Sequence, residues 1–246
     1  MKPYFTDDAI TLFHGDALAV LRELPAESVD CVVTSPPYYG LRDYGEPGQY
    51  GLEATPAQYV ETMRRVFAEV RRVLAVDGTL WLNLGDTYAG KGNAGASVGR
   101  TRRADRAELI PTRVNTTGEA PYKSLLMLPE RVAWALVEDG WTLRNRIVWH
   151  KPSAMPESVT DRLATRHEAV FLFSRADRYW FDLDAIREPH TMEQRRRTVT
   201  HNYNPPNAQP EHRGLHRVRP EVHHDGHPAG RNPGDVWSIT TKPFGE

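Results

Sequence analysis

The chain has 246 residues, 39% of them hydrophobic and 26% charged, with a formal net charge of −1. That is enough to bury one large α/β core or two small ones, and the single cysteine, Cys31, excludes both a disulfide framework and a cysteine-rich zinc site. The opening MKPYFTDDAI lacks the apolar core of a signal peptide and no apolar run reaches the roughly 20 residues of a membrane span, which predicts a cytoplasmic protein without a membrane partner.

In chain order, AITLFHGD reads as a short strand ending in Gly15 and Asp16, and ALAVLRELP carries apolar residues at helical spacing. SVDCVVTS follows as a second apolar, β-branched strand, so the three segments predict a β-α-β unit. Thr55, Pro56 and Gln58 supply an N-cap, a first-turn proline and a capping-box partner for a long helix. Its apolar face holds Val60, Met63, Phe67, Val70 and Leu74, and Arg64, Arg65, Arg71 and Arg72 fall on the wet side. The helix stops at VDG, and GTLWLNLG is then a strand apolar on both faces, as a parallel sheet covered by helices requires. A helix over about 129–138, stopped by Gly140, leads into the strand WTLRNRIVWHK, and HEAVFLFSR and RYWFDL complete the pattern. This alternation predicts an α/β, doubly wound, mostly parallel sheet.

Two long segments interrupt it. Residues 89–123 carry Lys91, Arg100, Arg102, Arg103, Arg106, Arg113 and Lys123 against Asp105, Glu108 and Glu119. Residues 190–231 carry seven arginines and seven histidines against four acidic residues. Neither has the periodicity of a packed element, so each is a functional loop or solvated disorder. GKGNAG at 90–95 satisfies a dinucleotide-type glycine pattern, but no apolar helix follows, which leaves a flexible loop. His223, His224 and His227 sit in a proline-rich stretch without cysteine, and no metal is expected there.

The most informative stretch is VVTSPPYYGL, residues 32–41. Open α/β sheets bind ligands outside the carboxyl ends of their strands, so a strand ending at Thr34 delivers Ser35, Pro36, Pro37 and Tyr38 to that edge. Each proline fixes φ and removes an N–H, which leaves a stiff row of carbonyl acceptors. Ser35 adds a hydroxyl, and Tyr38 and Tyr39 offer flat faces for a planar ring. A donor-rich group on a flat ring, such as the exocyclic amine of a nucleobase, fits there.

TSPPY, with HGDAL before it and GLRDYG, GTLWLNLGD, RNRIVWHKP and NPGDVW after it, resembles the site-specific DNA amino-methyltransferases of bacteria and phages, in the family's order and over nearly the whole chain. The resemblance implies the S-adenosylmethionine-dependent methyltransferase fold in circularly permuted order. It implies transfer of a methyl group from S-adenosylmethionine to the amine of a base flipped out of double-stranded DNA. Ser35, Pro36, Pro37 and Tyr38 would be the catalytic element, and Gly15, Asp16 and Thr34 would face the cofactor. For Asp16, an N-cap of the following helix is a compatible alternative. Tyr39, Arg42, Trp149, Lys151, Arg102, Arg103, Arg195, Arg196 and Arg197 would meet the DNA, although Trp149 taken alone reads as core. Serine in the first place favours cytosine N4 over adenine N6. Ser35 Oγ and the Pro36 carbonyl, accepting from the amine, would stabilise charge appearing on its nitrogen in the transition state. Cys31 reads as a small buried hydrophobe, not a cytosine-C5 nucleophile. The domains expected are a catalytic domain over 1–188 with its basic insertion, a target-recognition-like segment over 189–232 and a return over 233–246. Relatives continue past GDVW into an Asp-Pro-Phe-x-Gly-x-Gly element that cradles the cofactor, and this sequence has none. The fold is therefore expected to be incomplete at its carboxyl side, with a longer gene product, a second polypeptide completing the cofactor site, or a non-catalytic DNA-binding remnant as the alternatives.

Overall fold

The computed structural model describes residues 2–90, 119–190 and 227–240. Arg102, Arg103, Arg195, Arg196, Arg197, His223 and His224 lie outside the described residues, as do all of GKGNAG after Gly90. The chain forms two units, Met1–Trp180 with Asp235–Glu246, and Phe181–Gly234.

In the larger unit β1 (Phe5–Thr6) and β2 (Thr11–Leu12) form an antiparallel hairpin, followed by α1 (Ala17–Glu23) and β3 (Val29–Thr34). Then come α2 (Pro56–Val73), β4 (Leu74–Leu84), α3 (Leu128–Glu138), β5 (Thr142–His150), β6 (His167–Ser174) and β7 (Val236–Ser238). The main sheet has the order β3-β4-β6-β5-β7. β3 is parallel to β4 and β5 to β7, while β6 is antiparallel to β4 and β5. Four strands thus share one direction, the mostly parallel α/β sheet that the sequence predicts.

Two strand assignments differ. β2 does not join the main sheet, because Asp7 Oδ1 accepts from the Ala9 and Ile10 amides (2.8 and 2.6 Å) and turns the chain back so that β2 pairs with β1. Residues 179–183 form no strand; the Tyr179 hydroxyl accepts from Arg144 (3.1 Å) and the Trp180 amide donates to the Asp77 carbonyl (3.0 Å).

α2 starts where its cap dictates, with Thr55 Oγ1 accepting from the Gln58 amide at 3.2 Å. Met63, Phe67, Val70 and Leu74 pack with Leu80, Leu82, Leu84, Phe171 and Phe173 of the sheet and with Val132 and Leu136 of α3. The arginines of α2 tie elements together. Arg72 donates to the Leu21 and Leu24 carbonyls at the end of α1 (2.7 and 3.0 Å), and Arg64 forks onto Asp139 just past α3. α1 and α3 both pack on α2, so among the described residues the helices cover one face of the sheet only.

The opposite face carries Cys31, Val33 and Ser35 of the β3 segment and Thr79, Trp81 and Asn83 of β4, alternate residues in matching register. Val33 is 78% exposed. Cys31 is exposed as well, with Thr79 Oγ1 at 3.6 Å, so the buried hydrophobe expected of it is not found; no described helix covers its side of the sheet. Trp81 and Trp237 stack there with centroids 5.9 Å apart.

In the smaller unit a 3₁₀ turn (Asp184–Ile186) precedes a two-residue bridge in which Glu188 and Arg231 exchange backbone hydrogen bonds of 3.0 and 2.8 Å and pair their side chains. Gly230 (φ +113°) is needed beside it, since a Cβ would fall 2.2 Å from the Glu188 carbonyl oxygen. No helix among the described residues is long and apolar enough to cross a membrane.

Candidate active site

β3 ends at Thr34, in register with Leu82, and the chain leaves the sheet at Ser35. From there two tyrosines diverge. Tyr38 is half-buried at the sheet edge, whereas Tyr39 is 2% exposed and packs on Tyr59 (centroids 5.6 Å) in the core. Tyr39 therefore does not present the free face expected of it. Burial pushes its phenol up to about 12, and its hydroxyl meets no partner among the described residues.

The proline corner is fixed from both sides. Tyr59 of α2 donates its hydroxyl to the Pro37 carbonyl at 3.1 Å. Gly51 (φ +92°) lies against Pro37 and Tyr38, where a Cβ would stand 2.8 Å from the Tyr38 carbonyl oxygen, and its own carbonyl accepts from the Gly40 amide at 2.7 Å. No donor reaches the Pro36 carbonyl among the described residues, so it remains an available acceptor. The Tyr38 ring sits over Gly85, where a Cβ would come within 2.5 Å of it.

Ser35 and Tyr38 join a polar network that spans four strand ends. The Tyr38 hydroxyl lies 2.7 Å from Asn83 Oδ1, 3.0 Å from Glu168 Oε2 and 3.1 Å from Ser35 Oγ, and Ser35 Oγ is 3.3 Å from Asn83 Oδ1. Asn83 Nδ2 donates to the Ala169 carbonyl at 3.2 Å. Lys151 pairs with Glu168 Oε1 and holds its ammonium 4.4 Å from the Trp149 ring centroid. Burial, reinforced by the Glu168 carboxylate, pushes the Tyr38 phenol well above its ordinary value, so it keeps its proton.

Asp16 caps α1, with Oδ1 accepting from the Ala19 amide (2.9 Å), and Oδ2 accepts from the Tyr50 hydroxyl (2.8 Å). The Ala19 amide, then Tyr50, hold its carboxyl below the ordinary aspartate range. Since Tyr50 precedes Gly51, this exposed carboxylate is linked to the proline corner through two consecutive residues. Gly15 adjoins it. Arg42 is exposed, with its carbonyl accepting from Gln49 Nε2 (2.9 Å), and Trp149 is half-buried beside Trp237 in register, donating through Nε1 to the Ile239 carbonyl (3.2 Å) instead of joining the core.

A family model described as DNA methylase matches residues 29–244. The chain belongs to the DNA methylase family. It is 52% identical over 179 residues to the type II methyltransferase M.XycI of Xanthomonas campestris pv. cyanopsidis, covering 73% of this chain and 59% of that protein. It is 49% identical over 178 residues to M.Cfr9I of Citrobacter freundii, covering 72% and 58%. The chain thus spans about three fifths of the length of these relatives. Among solved structures the PvuII DNA methyltransferase (cytosine-N4-specific) superposes with a TM-score of 0.51 at 21% identity over 74% of this chain and 55% of that one, a likeness of fold.

Sequence reasoning singled out Ser35, Tyr38 and Lys151, which the fold brings together, but not Asn83, Glu168 or Tyr59, which join them. The signal was present for two of these. Asn83 interrupts the apolar LWLNL, and Glu168 opens the apolar AVFLF, and polar residues at such places need partners. Tyr59 reads as one more apolar helix residue, and nothing in the sequence marks its reach to Pro37.

Proposed function

We propose that this chain belongs to a site-specific DNA methyltransferase that moves a methyl group from S-adenosylmethionine to the exocyclic N4 amine of a cytosine flipped out of double-stranded DNA. The carrying observation is the pair of acceptors at one corner. Ser35 Oγ is exposed and the Pro36 carbonyl is without a donor among the described residues, and the backbone that follows them, at Pro37 and Tyr38, is held by Gly51 and Tyr59. Two acceptors suit the two N–H bonds of an amine, whose lone pair must localise on nitrogen as it attacks.

S-adenosylmethionine would supply the electrophilic methyl group. Asp16, exposed and held anionic, with Gly15 and Thr34 nearby in sequence to the helix cap and the strand end, fits the donor groups of such a ligand. Arg42, Trp149 and Lys151 would flank the base, while Arg102, Arg103, Arg195, Arg196 and Arg197 would meet phosphates. Serine at position 35 favours cytosine N4 over adenine N6. Among the described residues no helix covers the second face of the sheet and β3 is an outer strand, which leaves room for a second polypeptide completing the cofactor side. Cytosine-C5 chemistry is disfavoured because Cys31 lies four residues before Ser35, roughly 13 Å along an extended strand.

The test is to incubate the chain with labelled S-adenosylmethionine and genomic DNA, then to map modified bases by sequencing and identify the nucleoside by mass spectrometry. N4-methylcytosine at a defined site is expected; 5-methylcytosine, or no transfer with or without a co-expressed partner, overturns the reading.

A further inference from the structure

The network behind Ser35 has a direction, which follows from counting hydrogens. Tyr38 Oη carries one. Asn83 Oδ1 stands 2.7 Å away, and its amide is oriented by the Nδ2 contact with the Ala169 carbonyl, so it presents an oxygen. Glu168 Oε2 stands 3.0 Å away in a carboxylate whose other oxygen is paired with the Lys151 ammonium. Neither group has a hydrogen to offer, so the phenol hydrogen must point at one of them and away from Ser35. The 3.1 Å contact between Ser35 and Tyr38 is then satisfied only with Ser35 donating. Its single hydrogen is spent inward, toward Tyr38 or toward Asn83 at 3.3 Å, and only lone pairs face outward.

We propose that Asn83 and Glu168 are positioning residues which, acting through Tyr38, commit Ser35 to accepting, so that the corner admits a base with an exocyclic amine and rejects the counterpart with a carbonyl in the same place. The inference rests on the proposed function and deepens it by naming what chooses the base. A uracil or hypoxanthine oxygen at the corner would oppose two further oxygens, Ser35 Oγ and the Pro36 carbonyl, with no hydrogen between them, and unpaired polar groups in a closed site discriminate strongly. Lys151 determines what a neutral replacement does. In Glu168→Gln the ammonium claims the amide oxygen, which turns the NH₂ toward Tyr38. The phenol oxygen then receives a hydrogen, but its own still has Asn83 Oδ1 to point at, 2.7 Å away; when Asn83→Leu removes that acceptor as well, the phenol turns its hydrogen toward Ser35 and the serine hydrogen is released to face the base.

The experiment measures binding, independently of methyl transfer. A short duplex carrying the site mapped for this chain holds the target base opposite an abasic position, so that unpairing costs are equal. Affinities are compared for the amine base and its carbonyl counterpart, cytosine with uracil, or adenine with hypoxanthine if adenine is the mapped target. Wild type is expected to prefer the amine by at least about tenfold, and the double variant Asn83→Leu with Glu168→Gln to reduce the preference to within about threefold. In an Asn83→Leu, Tyr38→Phe background, where the serine hydrogen is already free, adding Glu168→Gln should change nothing further, a dependence that general damage to the fold would not produce. Tyr38→Phe alone should lower the preference, since the serine hydrogen keeps only its longer contact to Asn83, and this variant carries the test if the glutamine protein does not fold. Full preference retained in the Asn83→Leu, Glu168→Gln double variant, or in Tyr38→Phe, overturns the inference and leaves the proposed function standing. A wild-type chain with no preference removes the acceptor corner itself and the proposed function with it.

Discussion

The hydroxyl of Tyr59, on a helix in the core, donates to the carbonyl of Pro37, at the corner where β3 has left the sheet. At 1% exposure Tyr59 is part of the hydrophobic cluster, so the packing that stabilises the fold also sets the position of the loop. Tyr59→Phe strips the Pro37 carbonyl of that donor and should cost about 1 kcal/mol in denaturant unfolding. It should also slow methyl transfer beyond what the lost stability explains, as single-turnover kinetics far below the melting temperature would show.

Tyr39 makes the opposite case. Its buried hydroxyl has no partner among the described residues, so Tyr39→Phe removes a desolvated polar atom without leaving another unpaired. The expected outcome is unchanged or higher stability, by up to about 1 kcal/mol, with DNA affinity unaltered. A loss of affinity would show that the ring leaves the core to meet the base.

Much of this was legible in the sequence, and the two tyrosines show where legibility stops. The caps of α1 and α2, the strand that ends at Thr34 and the placing of Ser35, Pro36 and Tyr38 at its exit all follow from local chemistry that reads the same in one dimension as in three. The fate of adjacent aromatic residues is not local. Whether Tyr38 or Tyr39 turns inward depends on Gly85 leaving room for one ring and Tyr59 receiving the other, contacts 47 and 20 positions away in the chain. The same limit hid Glu168, which is 130 positions from Tyr38.

Ser35→Ala should reduce turnover by about a hundredfold, the scale of one donor or acceptor lost from a preorganised site, while DNA affinity changes little. Rapid-quench kinetics alongside filter binding would separate the two. Equal losses in both would place Ser35 in general DNA contact instead of at the reacting amine.

Acid should weaken the fold through carboxylates stabilised in the native state. A hydrogen bond from Arg64 holds the Asp139 carboxyl below its ordinary value of 3.8, and the Ala19 amide does the same for Asp16. Groups with depressed native values contribute stability that is full above the unfolded value and is lost as pH falls through the folded one. Stability should therefore be level, as far as these two groups determine it, above about pH 5 and should fall below pH 4. Asp139→Asn should flatten that decline in a series of urea unfolding curves.

Replacing Arg195, Arg196 and Arg197 by glutamine should weaken binding to all duplexes alike and shallow the dependence of affinity on salt, each phosphate contact contributing about 0.9 to the logarithmic slope. An unchanged slope would remove this triplet from the interface.

The lone thiol of Cys31, exposed on the side of the sheet that no described helix covers, is a ready-made reporter. A maleimide dye attached to the unaltered chain would carry one fluorophore at one known place, two strand repeats from Ser35 on the same side. Its accessibility, lifetime and quenching would register directly when something settles on that surface, without a single engineered substitution.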